Sequence, residues 1–166
     1  MHLRSLLEIS GYEVRLTRDA DRSIHDKGIS GIAAQKSSDM DNRLAILNAK
    51  EPAVCLSVHQ NQFTDPQYSG AQMFYSETAD GSESLADALQ TSFRTMLQPA
   101  NDREIKCCGK ELFLCYFCKH PMVMAECGFL SNPEEANRLT DPDYQKQVAF
   151  TLYAGLTGWL SGQKAV

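Results

Sequence analysis

Two side chains in this sequence stand where a strand hands over to a turn and are able to do chemistry there. His59 follows Val54-Cys55-Leu56-Ser57-Val58, and Glu126 follows Met122-Val123-Met124-Ala125. Each apolar run reads as a buried strand, and each ends on a residue able to bind a metal or move a proton. In open α/β sheets, ligands collect at the carboxyl ends of strands, so His59, followed by polar Gln60 and Asn61, is well placed. A carboxylate closing an apolar strand is costly without a partner or a proton to handle, which makes Glu126 a candidate for the same site.

The elements that must carry these residues are legible on either side. Leu3, Leu6 and Leu7 have helical spacing up to Gly11, a good residue just past a helix end. That helix opens without an N-cap, so a segment upstream of Met1 is expected. Tyr12 to Arg18 alternates polar and apolar residues and predicts a strand, and Asp19 to Ser38 reads as a long polar loop carrying His25, expected to face solvent. Asp39 or Asp41 is expected to cap a helix with Met40, Leu44 and Leu47 on one face. Strands are predicted over Gly70 to Tyr75 and Leu112 to Cys118. One helix starts at Ser82-Glu83 with Leu85, Leu89, Phe93 and Met96 as its core stripe. Asn132-Pro133-Glu134-Glu135 is an N-cap, an N1 proline and an acidic first turn in succession. Asp141-Pro142 repeats the signal for a last helix lined by Tyr144, Val148, Leu152, Leu156 and Trp159. Strands and helices in this order predict an α/β fold with a mixed sheet.

The totals narrow the class. A chain of 166 residues with 43% hydrophobic content fits one domain, residues 1–166, with a normal core. A net charge of −5 without long runs argues against a nucleic-acid or anionic-membrane surface. No stretch approaches the roughly 20 apolar residues of a membrane-spanning helix, and the sequence as given opens on no basic n-region followed by an apolar run.

Other chemistry-bearing residues have blander readings beside the sharper ones. Cys107, Cys108, Cys115 and Cys118, of six cysteines in all, could form a four-thiolate zinc site. In a strand, however, Cys115 and Cys118 would face opposite sides, and packing thiols, with at most an adventitious disulfide, are the expectation. Arg103 and Lys106 lie in a polar stretch where they either meet solvent or contact an anionic or amide-rich substrate. No Gly-x-Ser-x-Gly elbow occurs, which counts against a serine hydrolase.

Five ordered blocks, taken together, resemble a known family. Gly11-Tyr12-Glu13-Val14-Arg15-Leu16-Thr17-Arg18-Asp19, Asn42-Arg43, Ser57-Val58-His59-Gln60-Asn61, Gly70-Ala71-Gln72 and Glu126-Cys127-Gly128-Phe129-Leu130-Ser131-Asn132 are similar to the zinc-dependent N-acetylmuramoyl-L-alanine amidases of the Amidase_3 type. Gln60-Asn61-Gln62-Phe63 and Tyr68-Ser69-Gly70-Ala71-Gln72 look closest to the CwlD-like spore-cortex branch. The resemblance implies a twisted sheet flanked by helices, one catalytic Zn²⁺ and cleavage of the amide between N-acetylmuramic acid and L-alanine of peptidoglycan. It implies His59 as a metal ligand and Glu126 as the catalytic carboxylate. That substrate lies outside the cytoplasmic membrane, in the cell wall or the intermembrane space of the forespore, and whether an accessory protein takes part is left open by the sequence.

The family's other two metal ligands lie in N-terminal segments without counterpart here, so the domain is expected to lack its first strand. Three protein ligands and an open position are the usual needs of a catalytic zinc. An inactive peptidoglycan-binding or partner-regulated relative is therefore the alternative reading. Self-association through the sheet edge is a further expectation.

Overall fold

The computed structural model describes residues 2–163. Its elements are α1 (His2–Ile9), α2 (Ile32–Leu47), β1 (Cys55–Asn61), β2 (Gln72–Ser76), α3 (Ser82–Ser92), β3 (Lys106–Cys108), α4 (Phe113–Phe117), β4 (Met122–Phe129), α5 (Pro133–Thr140) and α6 (Pro142–Gln163). The four strands form one sheet in the order β1-β4-β2-β3. β1 is parallel to β4, β4 antiparallel to β2, and β2 parallel to β3, which is the mixed sheet expected.

Alternation along β4 sorts the two faces. Val123, Ala125 and Cys127 point into the main core with Leu7, Leu85, Leu89, Phe93 and Leu152, packed under α1, α3 and α6. Met122 points the other way, into a smaller cluster of Cys55, Cys108, Cys115 and Cys118 beside α4 and Leu47 at the end of α2. Burying each large side chain of the main core contributes about 1.5–3 kcal/mol. α3 and α6 approach closely because Gly155 has no Cβ. One placed there would stand 3.1 Å from the Leu89 Cα and 2.8 Å from the Ser92 Oγ.

Several local expectations need correction. Leu112 to Cys118 is not a strand: Phe113–Phe117 is helical, so Cys115 and Cys118 share a buried side. Cys115 bonds Cys108, and among the described residues no three His, Cys, Asp or Glu form a group that could hold a metal. A short apolar run carries no period that separates a strand from a buried helical turn. α2 begins at Ile32, ahead of Asp39 and Asp41. Asp39 caps nothing; it turns inward to accept from the Ile24 N–H at 2.7 Å and to pair with Arg43 at 2.6 Å. The helix from Ser82 ends in a π turn, Phe93–Leu97, whose wider winding rotates Met96 off the core stripe to 48% exposure.

Tyr12 to Arg18 joins no ladder. Tyr12 and Val14 pack against the main core, so the alternation reported a buried side correctly, but a strand also needs a neighbouring edge to bond. Between this segment and the outer edge of β1 runs an apolar cleft of about 840 Å³, floored by Leu152 and Leu156 of α6. Leu16 and Val58 stand on it 40% and 48% exposed.

Candidate functional site

The register of the sheet brings the two singled-out residues side by side. His59 of β1 pairs with Glu126 of β4, and Glu126 in turn pairs with Gln72 of β2. Residues level with one another on adjacent strands point to the same face, so imidazole, carboxylate and carboxamide form one row across three strands. The row lies on the face opposite the main core.

A bulge then extends the row into a patch. The pairing runs from His59 with Glu126 to Asn61 with Phe129, two residues along β1 against three along β4. The extra residue turns the Phe129 ring onto the face of Glu126, where strict alternation would have sent it into the core. Gly128 sits in this stretch with the Glu135 carboxylate 3.3 Å from where its Cβ would be. That carboxylate is itself buried and accepts from the Phe129 N–H at 2.8 Å and the Gly70 N–H at 3.0 Å, tying the bulge to the turn before β2. Glu135 is in place because Asn132 caps α5, accepting from the N–H groups of Glu134 and Glu135.

The start of β2 is held with equal care. Gln98 accepts from the Ala71 N–H at 2.8 Å, and Gln90 both accepts from Met73 N–H and donates to the Ala71 carbonyl at 3.0 Å. These buried amides complete backbone groups that have no strand partner, and Gln72 is thereby fixed beside Glu126. The Gln72 side chain donates to the Glu104 carbonyl at 2.7 Å and accepts from Arg103 Nη1 at 2.8 Å. Arg103 also donates through Nε to the Ser69 carbonyl at 2.8 Å, and its guanidinium lies 4.6 Å from the Phe129 ring centre and 5.7 Å from that of Tyr68.

The electrostatics of the two central groups differ. Burial pushes the Glu126 carboxyl above its usual range, and its Oε2 is buried without a hydrogen-bond partner among the described residues. A carboxylate in that state is a better base than one in water and reads as a functional group. His59 is reached by solvent, yet the protein packed around it, with the positive charges of Arg43 and Arg18, lowers its pKa and favours the neutral ring. Its Nε2 lies 2.8 Å from the Ser57 Oγ.

Of the residues expected from sequence, His59, Asn61, Glu126 and Arg103 are thus gathered on one face. Lys106 is exposed on β3, an edge strand, level with Phe74 and so on the same face as the row, one strand beyond Gln72 and two residues along. His25 lies in the loop before α2 with its Nδ1 2.8 Å from the Ser23 Oγ. Gln72, Phe129, Tyr68 and Glu135 also belong to the site, and no sequence pattern marks Phe129 or Tyr68 individually. Gln72 had a signal, a polar residue opening an apolar strand; Glu135 looked like any first-turn carboxylate.

His59 and Glu126 fit part of a metal centre and not the whole. A catalytic zinc takes three protein ligands, and the described residues contain no group of three donors. This chain's own residues set a burial-raised carboxyl at Glu126 beside an imidazole that favours its neutral form, an arrangement able to exchange protons. No helix among the described residues is long and apolar enough to cross a membrane.

The chain is 31% identical over 154 residues to the germination-specific N-acetylmuramoyl-L-alanine amidase of Bacillus subtilis, covering 93% of this chain and 64% of that protein. It therefore spans just under two thirds of the length of that relative. The structure of the CwlD amidase from Clostridioides difficile, solved in complex with the GerS lipoprotein, superposes with a TM-score of 0.92 at 33% identity, over 97% of this chain and 82% of that one. AmiC2 of Nostoc punctiforme shares the fold at 20% identity, with a TM-score of 0.78 over 96% of this chain and 79% of that one. Residues 1–158 match the family described as N-acetylmuramoyl-L-alanine amidase, and the chain belongs to that family, Amidase_3.

Proposed function

We propose that this chain is a single peptidoglycan amidase domain that cleaves the amide joining the lactyl group of N-acetylmuramic acid to L-alanine. The observation that carries the reading is the row His59, Glu126, Gln72 with an unpartnered, burial-raised carboxyl at its centre. Glu126 takes the proton from the attacking water and delivers one to the alanine nitrogen as the C–N bond breaks, a general base and then a general acid. Asn61 and Arg103 contact the bound substrate on the same face of the sheet. Zinc dependence belongs to the same reading: His59 would supply one neutral imidazole, and the metal, when bound, would activate water and polarise the carbonyl.

Two relatives support a role in spore cortex or cell-wall remodelling outside the cytoplasmic membrane. One is named as germination-specific, and the other was solved with a lipoprotein. An accessory protein for this chain is part of the proposal on that ground. A second reading, an inactive peptidoglycan-binding or partner-regulated relative, is favoured by one observation, the lack of a third donor near His59 among the described residues.

The test is release of N-terminal L-alanine from purified muropeptides, with zinc content per chain measured beside it. Retained zinc that is lost in His59→Ala, with release abolished in Glu126→Gln, supports the amidase. Full release by Glu126→Gln would refute the role of that carboxyl. Muropeptide binding without release supports the inactive relative.

A further inference from the structure

Arg103 differs from most arginines of the chain in having no anion. Arg4, Arg15, Arg18, Arg22, Arg43 and Arg94 each pair with a carboxylate. Among the described residues Arg103 has only neutral acceptors, the Ser69 carbonyl and the Gln72 amide oxygen. It is nevertheless the more constrained side chain: half-buried, clamped through Nε and Nη1, and laid over the rings of Phe129 and Tyr68. A guanidinium has five N–H donors in a rigid fork. The two bonds to protein leave Nη2 and one N–H of Nη1 without an acceptor among the described residues. Such a fork takes a carboxylate bidentately, and the aromatic faces beneath it fix the plane in which the carboxylate must lie. Arg138 also lacks a carboxylate, but it lies over Tyr144 on the α5–α6 side, away from the row.

The position of the fork selects which carboxylate. Glu126 and Gln72 are level on neighbouring strands, and Arg103 is bonded to the far end of the Gln72 side chain. With strands about 4.8 Å apart, the guanidinium stands roughly 10 Å from the Glu126 carboxyl. In a peptidoglycan stem, L-alanine is followed by D-glutamate linked through its side-chain carboxyl, so the α-carboxyl of that second residue is free. Along an extended stem it lies roughly 6–7 Å from the scissile nitrogen, by ordinary backbone dimensions. Adding about 3 Å for a hydrogen bond at each end gives roughly 12–13 Å in a straight line, and a bend of the stem at the two hydrogen bonds shortens that span to the separation of the two groups.

We propose that Arg103, seated on Phe129 and Tyr68 and held by Gln72 and Ser69, is the receptor for the free α-carboxylate of the second stem residue. It is a specificity-determining residue that discriminates D-glutamate from its α-amide in the stem. This rests on the amidase reading of the site above. The same clamp sets register: with the carboxylate in the fork, the alanine nitrogen is delivered to the carboxyl at the centre of the row, and a stem displaced by one residue loses the contact.

The experiment compares two ligands on the unaltered chain by NMR titration: N-acetylmuramoyl-L-alanyl-D-glutamate and N-acetylmuramoyl-L-alanyl-D-isoglutamine, which differ only in the α-carboxyl. The acid is expected to bind about tenfold more tightly, the usual advantage of a charge-assisted bidentate pair over a neutral one. The advantage should shrink as salt rises toward 1 M, where the Debye length falls to about 3 Å. Arg103→Met, which keeps apolar packing on the Phe129 ring, should bind both ligands alike, and Arg103→Lys should keep part of the preference. Equal affinity of the unaltered chain for the two ligands, or a preference surviving in Arg103→Met, overturns the assignment and leaves the amidase reading standing. Binding of neither ligand at millimolar concentration overturns the amidase reading, and the assignment with it.

Discussion

Glu126→Gln is expected to make the protein more stable while removing the proposed proton-transfer group. The wild-type carboxyl is partly buried, its Oε2 has no partner among the described residues, and burial raises its pKa. The sign follows from linkage. Below the unfolded-state value of about 4.3 the group is neutral in both states and costs the fold nothing as a charge. As pH rises through the raised folded-state value, the unfolded chain ionises more readily than the folded one, and stability is lost. At pH 7 the substitution removes a buried charge without changing volume. Buried polar groups left unsatisfied cost about 1–3 kcal/mol, and the glutamine amide keeps some of that cost, so a net gain of about 1 kcal/mol is expected. For a chain of this size that is roughly 2–4 °C in Tm. Urea denaturation of both proteins at pH 7 and pH 4 is the assay, with unchanged m-values as the control for two-state behaviour. The reasoning fails if Glu126→Gln is less stable than wild type at pH 7, or if the difference is the same at pH 4. Either result would mean that the carboxylate is satisfied in the folded protein and is not held ready for a proton.

Three other substitutions test the frame around the site. Asp39 accepts from Ile24 N–H, Ser23 and Arg43, and these bonds hold its pKa well below the carboxylate range, the arginine first. Asp39→Ala should cost about 3 kcal/mol, since it leaves Arg43 partly buried and unpaired, and a thermal melt should show it. The Asp39 contribution is present above pH of about 4 and is lost as pH falls toward the depressed folded-state value, so the wild-type and variant melts should converge in acid. Gly155→Ala should cost about 2 kcal/mol by forcing α6 off the Leu89 backbone. Gly158→Ala, with nothing within 4 Å of the added Cβ, should instead gain up to about 1 kcal/mol in helix propensity. Equal Tm values for the two glycine variants would refute the close-approach argument.

The local signals that were physically complete in the sequence survived into the structure. Asn132-Pro133-Glu134-Glu135 contains its own hydrogen-bond partners, and α5 starts there with the asparagine capping it. The stripe Leu85, Leu89, Phe93 is wholly buried because helical spacing alone puts those residues on one side. The apolar runs leading into His59 and Glu126 were legible too, but β1 continues to Asn61 and is half exposed, and β4 continues to Phe129, so Glu126 stands inside its strand and not at its end.

What the chain's order could not contain was the relation between distant segments. That His59 and Glu126 are level, with Gln72 completing the row, is a matter of register, set by which strands pair and how they slide. The bulge at Gly128 that turns Phe129 toward Arg103, and the buried Glu135 that supports it, depend on contacts across many residues of sequence. Tyr12 to Arg18 failed as a strand for the same reason, whereas Leu112 to Cys118 is helical because a short apolar run carries no period that separates a strand from a buried helical turn. Alternation and apolarity state which side of a segment is buried, whereas a ladder also needs an edge that only the tertiary structure can offer. The sequence by itself determined which side chains could do chemistry and what they stand on. The tertiary structure decided which of them meet, because meeting depends on pairing between strands that lie far apart in the chain.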